Sequence, residues 1–299
     1  YVNHKMLFYK LIRQGVKGRF LNILKSMYSK LKSILKINQS FYEWIEDKCG
    51  TNQGGPLSPN MFRYMLADLK SFLTEHFGII LNEDEILLHL LWADDLILMS
   101  DTAEGLQKQI DGLFDFCSQY QMIVNETKTK IMIFGKTSEN FNFTFNDMNL
   151  DIVNQYKYLG CIFSDAKIIT GNIFRDTPKH FAEKGMKASF ALMKKYSSAG
   201  RLTPKVALQL FDSFISPILL YGCEIWSTKS ESESIEQLHL KYLKLMLGVK
   251  SSTCNLAIYG ETGRFPLHLT QMYRMIKYWL RLTKLDSSKI VKQAFLQMK

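Results

Sequence analysis

Over its first 42 positions this 299-residue chain has no aspartate or glutamate, while nine lysines and arginines fall there (Lys5, Lys10, Arg13, Lys17, Arg19, Lys25, Lys30, Lys32, Lys36). The whole chain carries a formal charge of +10, so everything after Tyr42 is left with a net +1. Such an imbalance argues against a cationic ligand for the opening segment and for a polyanion. Paired cysteines are missing too. The five present (Cys49, Cys117, Cys161, Cys223, Cys254) are far apart, with no Cys-x-x-Cys and no histidine at zinc-ligand spacing, which excludes a zinc finger and a disulfide scaffold. They are read as reduced, mostly packed thiols of an intracellular protein.

Proline is scarce, at six residues, and hydrophobic residues make up 46%, so the chain is not disordered and can bury a large core. No apolar run reaches the roughly 18–20 residues that span a bilayer. The longest candidate, Phe214 to Trp226, is interrupted by Pro217 and Glu224. No signal peptide, internal repeat or low-complexity tract is present. The chain opens at Tyr1 rather than Met and is read as a fragment.

The residues that are present are organised around Leu87-Leu88-His89-Leu90-Leu91-Trp92-Ala93-Asp94-Asp95-Leu96-Ile97-Leu98-Met99-Ser100. Two apolar runs of strand length flank adjacent carboxylates, which predicts a hairpin with buried strands and Asp94 and Asp95 at the tip. Two carboxylates held this way suit Mg²⁺, which keeps its other positions for water and phosphate oxygens. Taken alone, such a pair is more often an idle acidic turn facing solvent.

Around this hairpin the pattern predicts helices over 4–14 and 19–29, the second burying Phe20, Ile23, Leu24 and Met27. Strands are expected at 33–37 and 41–45 about an Asn38-Gln39-Ser40 turn. A Gly50–Pro59 loop leads to a helix capped by Ser58, with Pro59 first, running to His76 and burying Phe62, Met65, Leu66, Leu69 and Phe72. Its free N–H groups favour a nearby nucleotide, though such loops are also ordinary connections. Thr102 caps a helix to Tyr120 with Leu106, Ile110, Leu113, Phe114 and Cys117 inward. Residues 122–125 and 130–134 read as strands about a turn containing Lys128. A lysine there could protonate a departing pyrophosphate, or be a plain surface lysine. Short strands fill 142–164, and helices are expected at 172–197, 204–215, 232–247 and 266–282, which places a domain boundary near 165–171. Residues 179–205 hold seven cations against the single acid Glu183, either a second grip on a polyanion or solvated helix faces.

Four blocks stand in order: Asn52-Gln53-Gly54-Gly55-Pro56-Leu57-Ser58-Pro59, Trp92-Ala93-Asp94-Asp95, Val124-Asn125-Glu126-Thr127-Lys128-Thr129-Lys130 and Tyr156-Lys157-Tyr158-Leu159-Gly160. Together they resemble the reverse transcriptase of non-LTR (LINE-type) retrotransposons, and the stretch Ser216 to Trp226 is similar to the segment downstream of those blocks in many such elements. The resemblance implies an α+β right-hand polymerase: a palm with partial fingers over 1–153, a primer-grip strand over 154–165, and a helical thumb with a C-terminal extension over 166–299. It implies two Mg²⁺ ions, with Mn²⁺ able to substitute, held by Asp94 and Asp95. Gln53, Gly54, Gly55 and Pro56 would line the nucleotide, and Lys128 would supply the leaving-group proton. Tyr158, Leu159 and Gly160 would seat the primer, and Lys184, Lys187, Lys194 and Lys195 would track the nucleic-acid backbone. RNA template, DNA primer and dNTPs are the implied partners, with no membrane. An endonuclease would lie elsewhere in the polyprotein, and the protein would work in a cytoplasmic ribonucleoprotein and the nucleus.

Three positions depart from the family pattern. Trp92 stands where Tyr or Phe is usual, and Gly55 where Asp is usual. The opening Tyr1-Val2-Asn3-His4 matches just the tail of an Ala-Phe-Asp-x-Val-Asn motif, so a further metal-binding aspartate would precede Tyr1. The competing expectation is a non-catalytic nucleic-acid-binding remnant or a domesticated scaffold.

Overall fold

The computed structural model describes residues 2–29, 31–46, 49–50, 55–82, 85–135, 139–165, 172–197, 203–227 and 233–298. It divides into two compact units, one of residues 1–131 with 139–151, the other of 132–138 with 152–299. Each joins helices to small antiparallel sheets, an α+β architecture. The division falls at Asp151/Ile152, so the last strands go with the helical unit. Of the compositional boundary at 165–171, residues 166–171 lie outside the described residues.

In the first unit α1 (His4–Arg13) begins where the Asn3 side chain accepts from the backbone N–H of Lys5, and α2 is Gly18–Tyr28. α2 carries apolar residues on more than one side. Leu21, Leu24 and Tyr28 face inward, whereas Phe20, Ile23 and Met27, expected in the core, stand about half exposed. β1 (Lys32–Ile37) and β2 (Ser40–Glu46) pair about the two-residue turn Asn38-Gln39, so Ser40 opens a strand rather than closing the turn.

Helix α3 (Ser58–Met65) is shorter than the sequence predicts. Leu57 is its cap residue, with Ser58 the first helical residue and Pro59 just inside the first turn. After Met65 the chain tightens into 3₁₀ turns at Leu69–Phe72 and Glu75–Phe77, which rotates the inward set to Met61, Met65, Leu69 and Leu73. Phe62, Leu66 and Phe72 pack at its margin.

Short strands β3 (Ile79–Ile80) and β4 (Ile86–Leu87) precede the hairpin of β5 (His89–Trp92) and β6 (Asp95–Leu98). Helix α4 (Ala103–Tyr120) starts at Thr102, whose hydroxyl accepts from the Gly105 N–H at 3.1 Å. Its inward face is Gln109, Ile110, Phe116, Cys117 and Tyr120, rotated from the expected set; Leu106, Leu113 and Phe114 are half-buried.

The first core gathers Leu7, Leu11, Leu24, Met61, Met65, Leu69, Leu88, Phe116 and Tyr120. A buried cation is fixed within it. The Lys10 Nζ donates to the Met65 carbonyl and to Asp68, and lies 3.5 Å from the Tyr120 ring centre. The Tyr120 hydroxyl donates to the other Asp68 oxygen at 2.5 Å. Burial and that bond push the phenol up to about 12. Burial works against ionisation of Asp68, yet the bonds from Lys10 and Tyr120 outweigh it and hold the carboxyl below the ordinary range. Two carbonyl or carboxylate oxygens and a ring face thus occupy the ammonium, which ties α1 to α3 and α4. A cavity of about 490 Å³ opens beside this cluster, lined by Lys10, Arg13, Asp68 and Tyr120.

Residues 122–125 and 130–134, expected as strands, form no ladder with any described residue. Ile131 makes one bridge-like bond, its N–H donating to the Asp151 carbonyl at 2.9 Å. Next come β7 (Phe143–Phe145) and β8 (Met148–Leu150), which pair with each other.

The second unit begins with β9 (Gln155–Tyr158) and β10 (Cys161–Ser164), an antiparallel hairpin. Thr177 docks it on α5 (Thr177–Ser197): its hydroxyl accepts from the Ile162 N–H at 2.9 Å and donates to the Ile162 carbonyl at 2.8 Å. α6 (Pro204–Leu210) runs through a π turn at Phe211–Ile215 into α7 (Ser216–Leu219) and α8 (Cys223–Trp226). This is the longest apolar run of the sequence, and it supplies the second core: Phe211, Ile215, Leu219, Leu220, Cys223 and Trp226 against Phe181. α9 (Glu233–Leu247), α10 (Asn255–Thr262), α11 (Leu267–Lys284) and α12 (Ile290–Gln297) complete the unit. The short α7, α8, α10 and α12 are not among the expected helices. All five cysteines are free thiols; Cys117 and Cys223 are buried, whereas Cys49 and Cys254 are exposed rather than packed. Among the described residues no helix is long and apolar enough to cross a membrane.

Candidate functional site

The β5–β6 ladder pairs Trp92 with Asp95, Leu91 with Leu96, Leu90 with Ile97 and His89 with Leu98. Directly opposed residues share a face, so Leu90, Trp92, Asp95 and Ile97 line one side and His89, Leu91, Leu96 and Leu98 the other. Leu96 and Leu98 pack on the first core. The opposite face is open, with Leu90 39% and Trp92 66% exposed. Leu91, on the core side, is itself 38% exposed, so the strands are partly covered on one side and not buried on both as the apolar runs suggest.

Ala93 and Asp94 form the two-residue turn, and Ala93 takes a left-handed φ of 53°. That costs a non-glycine residue about 1 kcal/mol. The tight turn sets Asp94 at the apex and Asp95 at the head of β6, both exposed. No hydrogen bond or ion pair joins either carboxylate to another described residue.

Two adjacent carboxylates with open lone pairs fit one hard divalent cation that keeps water or phosphate oxygens in its remaining positions. A two-ion site calls for a further shared carboxylate, and among the described residues no group of three His, Cys, Asp or Glu gathers to hold a metal.

The other residues singled out by sequence are spread over both units. Gly55 is half-buried and its carbonyl accepts from the Ser58 N–H at 3.2 Å; Pro56 is exposed beside it, ahead of α3. Gln53 and Gly54 lie outside the described residues. Lys128 sits exposed in a turn closed by Asn125, whose carbonyl accepts from the Lys128 N–H at 3.1 Å. Lys130 pairs with Asp151 at 2.6 Å.

In the second unit Tyr158 ends β9, and Leu159 and Gly160 make the turn to β10 with φ of 45° and 90°. Positive φ at both central residues is the turn whose twist matches a two-residue hairpin. A side chain on Gly160 would stand 3.3 Å from the Tyr221 ring, so backbone and ring approach closely there. Lys184, Lys187, Lys194 and Lys195 are exposed on α5.

Sequence reasoning missed their neighbours. Lys184 is held below the ordinary lysine range, first by partial burial and then by the charge of Lys157 on β9. His180 is lowered likewise, by burial and by Lys184, Lys157 and Lys187, and its Nε2 is buried without a partner among the described residues. Lys157, Lys184 and Lys187 thus crowd like charge around the His180 ring where the hairpin meets α5, which favours its neutral form. Crowded cations of this kind attract an anion. Lys157 lies inside the Tyr156–Gly160 block, but no pattern in the sequence ties it to a helix more than twenty residues away.

A family model described as reverse transcriptase (RNA-dependent DNA polymerase) matches residues 1–163. Three relatives are similar at lower identity. The "Retrovirus-related Pol polyprotein from type-1 retrotransposable element R2" of Nasonia vitripennis is 26% identical over 176 residues, 54% of this chain and 17% of that one. A transposon-derived protein of Caenorhabditis elegans is 26% identical over 167 residues, 54% of this chain and 57% of that one. The "Probable RNA-directed DNA polymerase from transposon BS" of Drosophila melanogaster is 24% identical over 222 residues, 71% of this chain and 24% of that one. The alignments thus span between 17% and 57% of these relatives' lengths.

Proposed function

The chain belongs to the reverse transcriptase family, and on that premise we propose that it is the RNA-directed DNA polymerase segment of a non-LTR (LINE-type) retrotransposon protein. The first unit acts as palm with part of the fingers and the second as primer grip and thumb. The observation that carries the reading is the apex of the β5–β6 hairpin, where Asp94 and Asp95 stand side by side, exposed and engaged by no other described residue.

The reaction is nucleotidyl transfer of the two-metal class. When bound, Mg²⁺ or Mn²⁺ supplies charge neutralisation at phosphate oxygens and makes a coordinated hydroxyl more acidic. The chain's own share is positioning and charge. Asp94 and Asp95 hold the cation at the hairpin tip, one in the Ala93-Asp94 turn and the other at the head of β6. Lys128 donates the proton to the departing pyrophosphate. Gln53, Gly54, Gly55 and Pro56 line the incoming dNTP ahead of α3. Tyr158, Leu159 and Gly160 seat the DNA primer end, and Lys184, Lys187, Lys194 and Lys195 follow the backbone of the template–primer duplex without reading its sequence. Lys157 and His180 join that grip. An endonuclease elsewhere in the same polyprotein, and work in a cytoplasmic ribonucleoprotein and the nucleus, belong to the same proposal.

The test is extension of a DNA primer on an RNA template with Mg²⁺, comparing the parent chain with Asp94→Asn. We expect a loss of at least about a hundredfold, the scale of removing one preorganised electrostatic group from a reaction centre. Mn²⁺ titration of the two proteins should show weaker binding in the variant. Equal extension and equal Mn²⁺ affinity overturn the assignment and leave the non-catalytic nucleic-acid-binding reading.

A further inference from the structure

The β1–β2 hairpin contains a feature that the polymerase reading does not use. Among the described residues it is a two-stranded sheet pairing with no other strand, and both of its faces are open: Leu35 is 54%, Phe41 65%, Tyr42 55%, Trp44 63% and Ile45 60% exposed. An isolated two-stranded hairpin is marginal in water, and so much exposed aromatic surface marks a contact site.

The register says what kind. Ile34 opposes Trp44 and Lys36 opposes Phe41, so the pairing slips by one residue between them and Tyr42 and Glu43 together face Leu35. In a regular strand Phe41 and Trp44, three residues apart, would point to opposite faces. The bulge brings them to the same face, which Lys32, Ile34 and Lys36 share. The Lys36 Nζ lies 5.1 Å from the Phe41 ring centre. The one acid on this face, Glu46, sits at the far end from the turn, opposite Lys32.

Two aromatic rings interleaved with two lysines are the elements of a single-strand platform: rings stack bases of any identity and cations meet the phosphates. A protein partner could use the rings equally, but charge decides against it. The 42 residues leading into β2 carry nine cations and no acid. We propose that the Phe41–Trp44 face of the β1–β2 hairpin binds unpaired bases of a single-stranded nucleic acid, reading no sequence. The inference rests on the polymerase reading for its biological sense, where the natural occupant is template not yet copied.

The test uses the full chain and a fluorescein-labelled oligouridylate of about 12 nucleotides, within the span one such platform covers. Binding is followed by anisotropy in EDTA, so no catalysis is read and the result is independent of the Asp94→Asn comparison. Phe41→Ala and Trp44→Ala should each weaken binding by roughly 5- to 100-fold, the scale of losing one stacked base. Trp44→Phe should restore most of it. Lys32→Gln with Lys36→Gln should lower the slope of log affinity against log salt by about 1.4, or 0.7 for each single-strand phosphate contact. All these positions except Ile34 are exposed, so melting temperature should stay near the parent's and serves as the folding control. Unchanged affinity in both alanine variants overturns the proposal. So does a concentration-dependent dimer that Trp44→Ala abolishes while oligonucleotide binding stays intact, since a second copy would then own this face.

Discussion

Glu236 binds three different elements of the second unit at once. Its side chain is 21% exposed, and its oxygens accept from the Tyr259 hydroxyl at 2.5 Å, the Leu267 N–H at 2.6 Å and the His239 ring at 3.0 Å. It therefore ties α9, α10 and the start of α11 together. Burial works to raise its pKa, but the bonds from His239 and Tyr259 and the Leu267 N–H prevail, and the carboxyl is held below the ordinary 4.5. A carboxyl depressed in the folded state contributes stability above its unfolded value and loses it as pH falls through the folded one. Glu236→Gln keeps the shape and removes the charge. At neutral pH it should cost about 1–3 kcal/mol, the worth of hydrogen bonds to an ionised group. That gap to the parent should close as pH drops from about 5 toward 3, because the parent then loses the same charge. Urea unfolding of both proteins across this range checks it; a gap that stays constant would mean that shape, not charge, holds the three helices.

At the scale of elements, helix α4 touches the 3₁₀ turns through glycine. A Cβ on Gly112 would lie 2.2 Å from the Phe72 carbonyl oxygen, a backbone atom that no rotamer change can move. Gly112→Ala should gain helix propensity and still destabilise the first unit by about 1–3 kcal/mol, the usual cost of overpacking. A stability equal to or above the parent's would show that α4 can lift away freely. Such close approaches are invisible in sequence, where Gly112 is a weak spot in a helical pattern. The legible features were local: the hairpins about Asn38-Gln39 and Ala93-Asp94, the Thr102 start of α4, and the long helices, whereas Leu159-Gly160, read as part of one strand over 154–165, is the turn between β9 and β10. Burial was read less well, since α2 bears apolar residues on two sides and periodicity cannot choose between Leu21 and Phe20. Residues 122–125 and 130–134 have strand-forming side chains, but a strand exists through its partner, and among the described residues none pairs with them in a ladder. The Asp94–Asp95 pair and the ordered blocks around it stood out in sequence because polar groups interrupt apolar runs there. The crowding of Lys157 and Lys184 around His180 did not, because it is made by the docking of β10 on Thr177.

Across the whole molecule, charge is spread unevenly. Nine of the ten net positive charges lie before residue 43, and a further seven cations face one acid over 179–205. On α5, Lys184 and Lys195 are eleven residues apart, three helical turns and about 16 Å, with Lys187 and Lys194 turned roughly 60–80° to one side of that line, so the four form a broad stripe. A row of that length runs alongside several successive phosphates of a duplex strand. If these four lysines meet phosphates, affinity of the chain for an RNA–DNA duplex depends steeply on salt, because each contact releases condensed counterions. Changing all four to Gln should then lower the slope of log affinity against log salt by roughly 3 to 4 units, about 0.9 for each contact. The variant should lose most of its binding near 50 mM salt and differ little from the parent at high salt, where screening has already removed the attraction. Lys157 and the cations of the opening segment remain in place, so the residual slope measures what they contribute together. An unchanged slope would place the duplex elsewhere, and α5 would then be a solvated face rather than part of a thumb.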